Sequence, residues 1–245
     1  MNYYEYEYNT WNDFKSHAVT DLINKDIFTP QRYIFRGQGS SDWELISSFD
    51  RSYQSFDYKT RKTAEKTLID KFKALVTKWE GKERFTGYSE EQIISVAQHY
   101  GIPTRLIDWS YSIYVASFFA FANVSDYNGC VAIWVIDTNH EIWQGEYGVS
   151  IVEPYVSENI RQLHQKGAFC VNNSPEITLE QYVNRCSGRC NIDGALAKII
   201  IPKDQQMIAL NDLEMMGINY QYIYPGLEGC AKTAVLHEFI TRNLK

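Results

Sequence analysis

The stretch QHYGIPTRLIDWSYSIYVASFFAFA, residues 98–122, decides how this chain folds. Its first half is an extended segment, TRLIDWS at 104–110, preceded by Gly101 and Pro103, which end any helix arriving from Gln92. Its second half, Ile113–Ala122, is apolar all round, so a helix there has no face for water and is buried. A strand that leads straight into a buried helix places a sheet beneath that helix. Yet Gln98, His99, Thr104, Arg105, Asp108, Ser110 and Ser112 crowd into the same apolar frame. Buried polar groups must satisfy one another or a ligand, because each one left unpaired costs free energy. Two readings stay open. In one, Arg105 pairs internally with Asp108, Ser110 or Ser112 caps the helix and His99 is a satisfied core histidine. In the other, the segment lines a polar cleft whose floor is the helix.

Outward from this stretch, strands and helices mix without a regular alternation, which argues for an α+β fold with a mixed or antiparallel sheet flanked by helices. RYIFR at 32–36, CVAIWVID at 130–137 and ALAKIII at 195–201 are strand candidates rich in β-branched and aromatic residues. Thr10 is placed to cap a first helix whose apolar positions Trp11, Phe14, Ala18 and Leu22 keep helical spacing. Leu68, Phe72, Leu75 and Trp79 form the apolar stripe of a helix over 63–79. Ser89 and Gln92 make a capping box for the helix that ends at Gly101. Asp204 starts a further helix that ends before Gly217. NYQYIYP (219–225) reads as a strand, PGLEG as a turn, and a last helix runs from about Glu228 to Thr241. Residues 138–194 are poorly patterned, with short strands and loops. No repeat or linker divides the 245 residues, so a single domain over 1–245 is expected.

Composition narrows the function classes. With 44% hydrophobic and 22% charged residues the chain is an ordinary globular protein, and its net charge of -6 supplies no global field for nucleic acid or anionic lipid. The longest apolar run is too short to span a bilayer and the N-terminus lacks a basic-then-apolar leader, so a cytoplasmic protein without membrane contact is expected. Five cysteines without a CxxC pair fit reduced thiols; Cys186 and Cys190 are close in sequence but lack further ligands at metal-binding spacing. The phosphate-loop, zincin and nucleophile-elbow motifs are all missing, and GQG at 37–39 is not a dinucleotide fingerprint. Cys130 or Cys170 would need a nearby histidine to act as a nucleophile.

YIFRGQ at 33–38, QHYGIPTRLIDWS with SIYVASFFAFA, IRQLHQKGAF at 160–169 and MMGINYQYIYPGLEG at 215–229 occur in the order found in the FRG domain, which this chain resembles over about 30–230. A weaker similarity is to the Arg-Ser-Glu class of ADP-ribosyltransferases. There a first strand ends in an aromatic-Arg-Gly motif, a second carries Ser or Thr and leads into an apolar helix, and a glutamate follows later. Arg36 in IFRG resembles the first part and Thr104–Ser112 the second, with Glu228 the first candidate for the acid. The Ser-Thr-Ser triplet and the Xaa-x-Glu signature are absent. The resemblance implies an ADP-ribosyltransferase-like fold, NAD as substrate, transfer of ADP-ribose to a protein or nucleic acid, and a role as a bacterial toxin or anti-phage effector with an inhibitory antitoxin as partner.

The chemistry explains why such parts are wanted. Loss of nicotinamide from NAD builds positive charge on the ribose, so a carboxylate near the sugar and a grip on the diphosphate both favour the transition state. Arginine offers a permanently charged planar fork for phosphate, and glycines let backbone N–H groups approach the same anion. On this reading Arg36 and Glu228 are catalytic, and Arg36, Gly37, Gln38, Thr104, Arg105, Ser110 and Gln165 bind the nucleotide. Glu146, Glu153 and Glu158 are reserve candidates for the acid. Against it, Arg36 pairs with Asp42, Glu44 or Asp108, Gly37 and Gly39 are turn glycines, and Glu228 simply complements a helix N-terminus. A non-enzymatic module that binds a nucleotide or peptide in the same cleft is the alternative. A nuclease would need Asp42, Glu44 and Asp108 gathered around metal ions.

Overall fold

The computed structural model describes residues 2–23, 31–123, 128–153 and 164–243. Strand β2 (Tyr33–Gln38) is the centre of a mixed sheet, because the helix predicted at 113–122 packs directly on it. This helix, α5 (Ile113–Phe121), is capped by Ser112, whose Oγ accepts from the Val115 N–H, and seven of its nine residues are buried. Its backbone comes so close to β2 that a Cβ on Gly37 would stand 1.8 Å from the carbonyl oxygen of Ala116. Gly37 is therefore required by helix-on-strand packing, whatever else it does.

Around β2 lie β1 (Tyr4–Glu7), β3 (Leu106–Ser110), β4 (Cys130–Asp137), β5 (Val149–Val152), β6 (Gly167–Asn172) and β7 (Leu196–Pro202), in the order β1-β7-β4-β2-β3-β6-β5. The β1–β7 pair is parallel and the other pairs are antiparallel. One face is covered by α1 (Trp11–Ile23), α5, α7 (Gln206–Met215), the short α8 (Tyr220–Ile223) and α9 (Leu227–Asn243), with Trp11, Phe14, Phe118, Phe121 and Leu213 among the buried side chains. The other face is covered by α6 (Leu179–Cys186) and the turn at 141–143, through Trp143, Leu179 and Tyr182. Helices α3 (Tyr58–Glu80) and α4 (Glu90–His99) close a smaller cluster of Ile69, Phe85, Ile93 and Ala97. The architecture is α+β, as composition and pattern predicted.

Several local expectations need correction. NYQYIYP is not a strand: Asn219 caps α8 by accepting from the Tyr222 N–H at 2.8 Å, and the chain then turns into α9. The apolar stripe of α3 is only half used, since Leu75 is 67% and Trp79 90% exposed while Arg61 is buried. The helix expected from Asp204 to before Gly217 is present as α7, entered through a 3₁₀ turn at Lys203–Gln205. Strand β1 and helices α2 (Ser48–Tyr53) and α6 were not anticipated.

Arg61 is buried because it belongs to a charged cluster that ties α2 and α3 to β3. Asp50 accepts from Arg61 Nη1 and from Ser47 Oγ, and Arg105 Nε lies 3.8 Å from Asp50 and 3.4 Å from Glu65. The Arg105 guanidinium also stacks over the Phe49 and Tyr58 rings. Removing one member strands the other charges out of water, so Asp50→Ala should cost about 3–5 kcal/mol in denaturant unfolding. Gly37→Ala should also destabilise, by about 1–3 kcal/mol or more, because backbone rather than a yielding side chain blocks the new Cβ. A Gly37→Ala protein with unchanged unfolding would contradict the close contact with α5.

Candidate functional site

Strand β2 pairs with β4 along its whole length, from Tyr33 opposite Asp137 to Gln38 opposite Ala132, but meets β3 at the single pair Phe35–Ser110. Beyond that pair the two strands part, and a cleft of about 1310 Å³ opens where Arg36, Gly37 and Gln38 would have faced Trp109, Asp108 and Ile107. Peptide groups that part in this way must find other partners. Arg36 supplies one: its Nη1 donates to the carbonyl oxygen of Asp108 at 2.7 Å, so the guanidinium stands where a ladder hydrogen bond would have been.

The Asp108 side chain lines the same cleft and accepts from Gln98 Nε2 at 2.8 Å. The other end of the Gln98 amide is held by Thr104, whose hydroxyl donates to Oε1, and turning the amide over would set that oxygen against the Asp108 carboxylate. Thr104 is fully buried and does not line the cleft. Asp108 is exposed at the cleft, but the protein around its carboxyl displaces part of its hydration; this raises its pKa from the ordinary value, against the pull of Arg36. Burial likewise lowers the pKa of the Arg36 guanidinium, opposed by Asp108 and aided by the charge of Arg51.

Of the predicted site residues, Arg36, Gly37, Gln38, Ser110 and Gln165 come together in this cleft. Their polar groups are partly committed. Gln38 accepts from the Trp134 indole and donates to the Glu44 carbonyl, and the Ser110 hydroxyl donates to the Gln165 carbonyl at 2.6 Å. Arg105 and Thr104 do not reach it. Arg105 points into the Asp50–Glu65 cluster, so it is not the partner of Asp108, and Thr104 acts only through Gln98. Glu228 is also outside: it sits in the first turn of α9, 3.9 Å from Lys232, whose ammonium stacks on the Tyr224 and Tyr220 rings that do line the cleft. Glu146 and Glu153 lie away from the cleft, and Glu158 lies outside the described residues. The carboxylates of the cleft are Asp42, Glu44 and Asp108.

Sequence reasoning missed Arg51 and Trp109, which line the cleft from α2 and β3, and the aromatic wall of Tyr220 and Tyr224. Nothing in the spacing of FDRSY marks Arg51. Asp108 was visible as a partner of Arg105 or of Arg36, and it is Arg36 that reaches it, through the main-chain carbonyl. Among the described residues no group of three or more His, Cys, Asp or Glu is placed to hold a metal ion, so the acid cluster a nuclease needs is not assembled. Cys170 is buried and its thiol is pushed up by burial, which disfavours the thiolate a nucleophile requires. No helix among the described residues is long and apolar enough to cross a membrane.

Comparison with curated proteins and with solved structures finds no match in either. The family model of the FRG domain matches residues 31–129, the segment that contributes Arg36, Arg51, Gln98, Asp108, Trp109 and Ser110 to the cleft.

Proposed function

We propose that the cleft binds NAD and that the protein transfers ADP-ribose from it to a macromolecular acceptor, protein or nucleic acid. One observation carries this reading: a permanently charged guanidinium and a carboxyl group with a raised pKa, Arg36 and Asp108, share one cleft at a break in the sheet. Cleaving the bond between nicotinamide and ribose asks for that combination. Nicotinamide leaves with the electrons of the broken bond, the ribose carbon becomes cation-like, and a carboxylate stabilises it while a cation holds the diphosphate. The acceptor's nucleophile then bonds to that carbon and gives up its proton. In this scheme Asp108 takes the part that the resemblance gave to Glu228. Gln98, oriented by Thr104, keeps the Asp108 carboxylate in one position. Phe119, Tyr220, Tyr224 and Trp43 offer flat apolar walls on which nicotinamide or adenine rings can stack.

A second reading, a non-enzymatic nucleotide-binding module, is favoured by the position of Glu228, because the late glutamate expected from the transferase resemblance does not line the cleft. Labelled NAD incubated with the protein and a cell extract separates the two. The transferase reading expects nicotinamide release and a labelled macromolecule. It also expects losses of about 100-fold or more in Arg36→Ala and Asp108→Asn, in line with removing one preorganised electrostatic group, and little change in Glu228→Ala. Binding of NAD without release or labelling would leave the module.

The raised pKa of Asp108 adds a pH signature. Activity needs the ionised carboxylate, so the acid limb of the rate profile should lie above the ordinary aspartate value of about 3.9. Stability moves the other way. A carboxyl whose folded pKa is raised contributes stability below its unfolded pKa, and loses it as pH rises through the folded value. At neutral pH Asp108→Asn should therefore melt no lower than the parent while losing activity. A lower melting temperature would make Asp108 a structural residue instead.

A further inference from the structure

Three donors in the cleft are left without acceptors by the fold. Arg51, on the exposed side of α2, has no hydrogen-bond or ion-pair partner for its guanidinium among the described residues, yet stands close enough to Arg36 for their charges to repel. Arg36 spends Nη1 on the Asp108 carbonyl, but its Nε is buried and bonded to nothing. Trp109, only 3% exposed, lines the cleft from β3, and its indole Nε1 is buried without an acceptor. Buried donors of this kind are costly when left unpaired, and the two guanidinium groups repel each other, an effect that Asp108 offsets in part at Arg36. The other indole N–H groups of the buried core are satisfied: Trp11 donates to Asp212, Trp134 to Gln38 and Trp143 to the Ala195 carbonyl. The exception therefore falls at the cleft, beside two arginines.

We infer that Arg36, Arg51 and Trp109 form a dianion subsite that takes a diphosphate group, with both guanidinium groups on its oxygens and the Trp109 N–H as a third donor. Asp108 already offsets part of the Arg36 charge, so the choice of ligand rests on acceptor geometry: a single carboxylate engages one fork, whereas a diphosphate has oxygens enough for both guanidinium groups and the indole N–H. The subsite deepens the proposed NAD reading by naming what holds the diphosphate, but it does not depend on any transfer reaction.

Titration calorimetry with inorganic pyrophosphate, orthophosphate, ADP-ribose and adenosine tests it. Pyrophosphate and ADP-ribose should bind more tightly than orthophosphate and adenosine, and less tightly as salt rises. Arg51→Gln, a surface change, should weaken pyrophosphate binding about 10- to 100-fold, and Trp109→Phe, which keeps an aromatic ring but removes the N–H, roughly fivefold, while adenosine binding stays the same. Trp109→Phe should melt at or above the parent temperature, since it removes an unpaired buried donor. Wild-type protein that does not bind pyrophosphate overturns the subsite, as do Arg51→Gln and Trp109→Phe proteins that bind it with unchanged affinity. If Trp109→Phe does not fold, Arg51→Gln alone decides. Tight pyrophosphate binding without any reaction on NAD would defeat the transferase reading and leave the subsite standing; NAD turnover with unaltered affinity in both variants would do the reverse.

Discussion

The feature on which the rest depends is the parting of β2 and β3 after one shared pair, with the Arg36 side chain spanning the opening to the Asp108 carbonyl. A sheet that breaks its ladder in the middle leaves main-chain groups to be satisfied elsewhere. One side-chain fork meets that need at a single carbonyl, and a cleft open to solvent remains between the strands. On the far side of β2 the pairing with β4 is unbroken, and α5 presses on Gly37, so the strand cannot slide to close the opening. The cleft is thus held open by packing on one side and by an arginine on the other.

Charged groups in this protein are used in two ways, and the contrast identifies the site. Asp50, Arg61, Glu65 and Arg105 sit deep in the fold, carboxylate against guanidinium, with ring faces and main-chain carbonyls taking up part of what remains. They join α2 and α3 to β3 and do not line the cleft. Arg36, Arg51 and Asp108 line the open cleft, where a ligand can reach them.

Much of the architecture was legible because local rules agreed with the tertiary result. Thr10, Ser89 and Ser112 cap the helices their positions announced, and β4 occupies the residues of CVAIWVID. The failures have physical causes. NYQYIYP has the aromatic and β-branched content of a strand, but Asn219 caps a helical turn and Ile223 is buried among helices. Leu75 and Trp79 have core spacing, yet α3 runs on past the body it packs against, and spacing says nothing of where a neighbour ends. β1 was missed because YEYE pairs at an edge, in parallel with β7, a long-range contact that local pattern does not carry.

By itself the sequence determined that a buried helix follows a strand at 104–121, that Arg36 lies on a strand, and that the motif order resembles that of the FRG domain, whose model matches residues 31–129; the strand expected to close at Arg36 instead runs on through Gly37 to Gln38. Only the tertiary structure decided which charges meet. Arg105 and Asp108 are three residues apart in one segment, and the structure sends the first to Asp50 and Glu65 and the second to the cleft with Arg36. It also brought Arg51 and Trp109 to that cleft and left Glu228 on α9 with Lys232. The physical reason is that pairing of charges depends on distance in space and on exclusion of water, and neither can be read from separation along the chain.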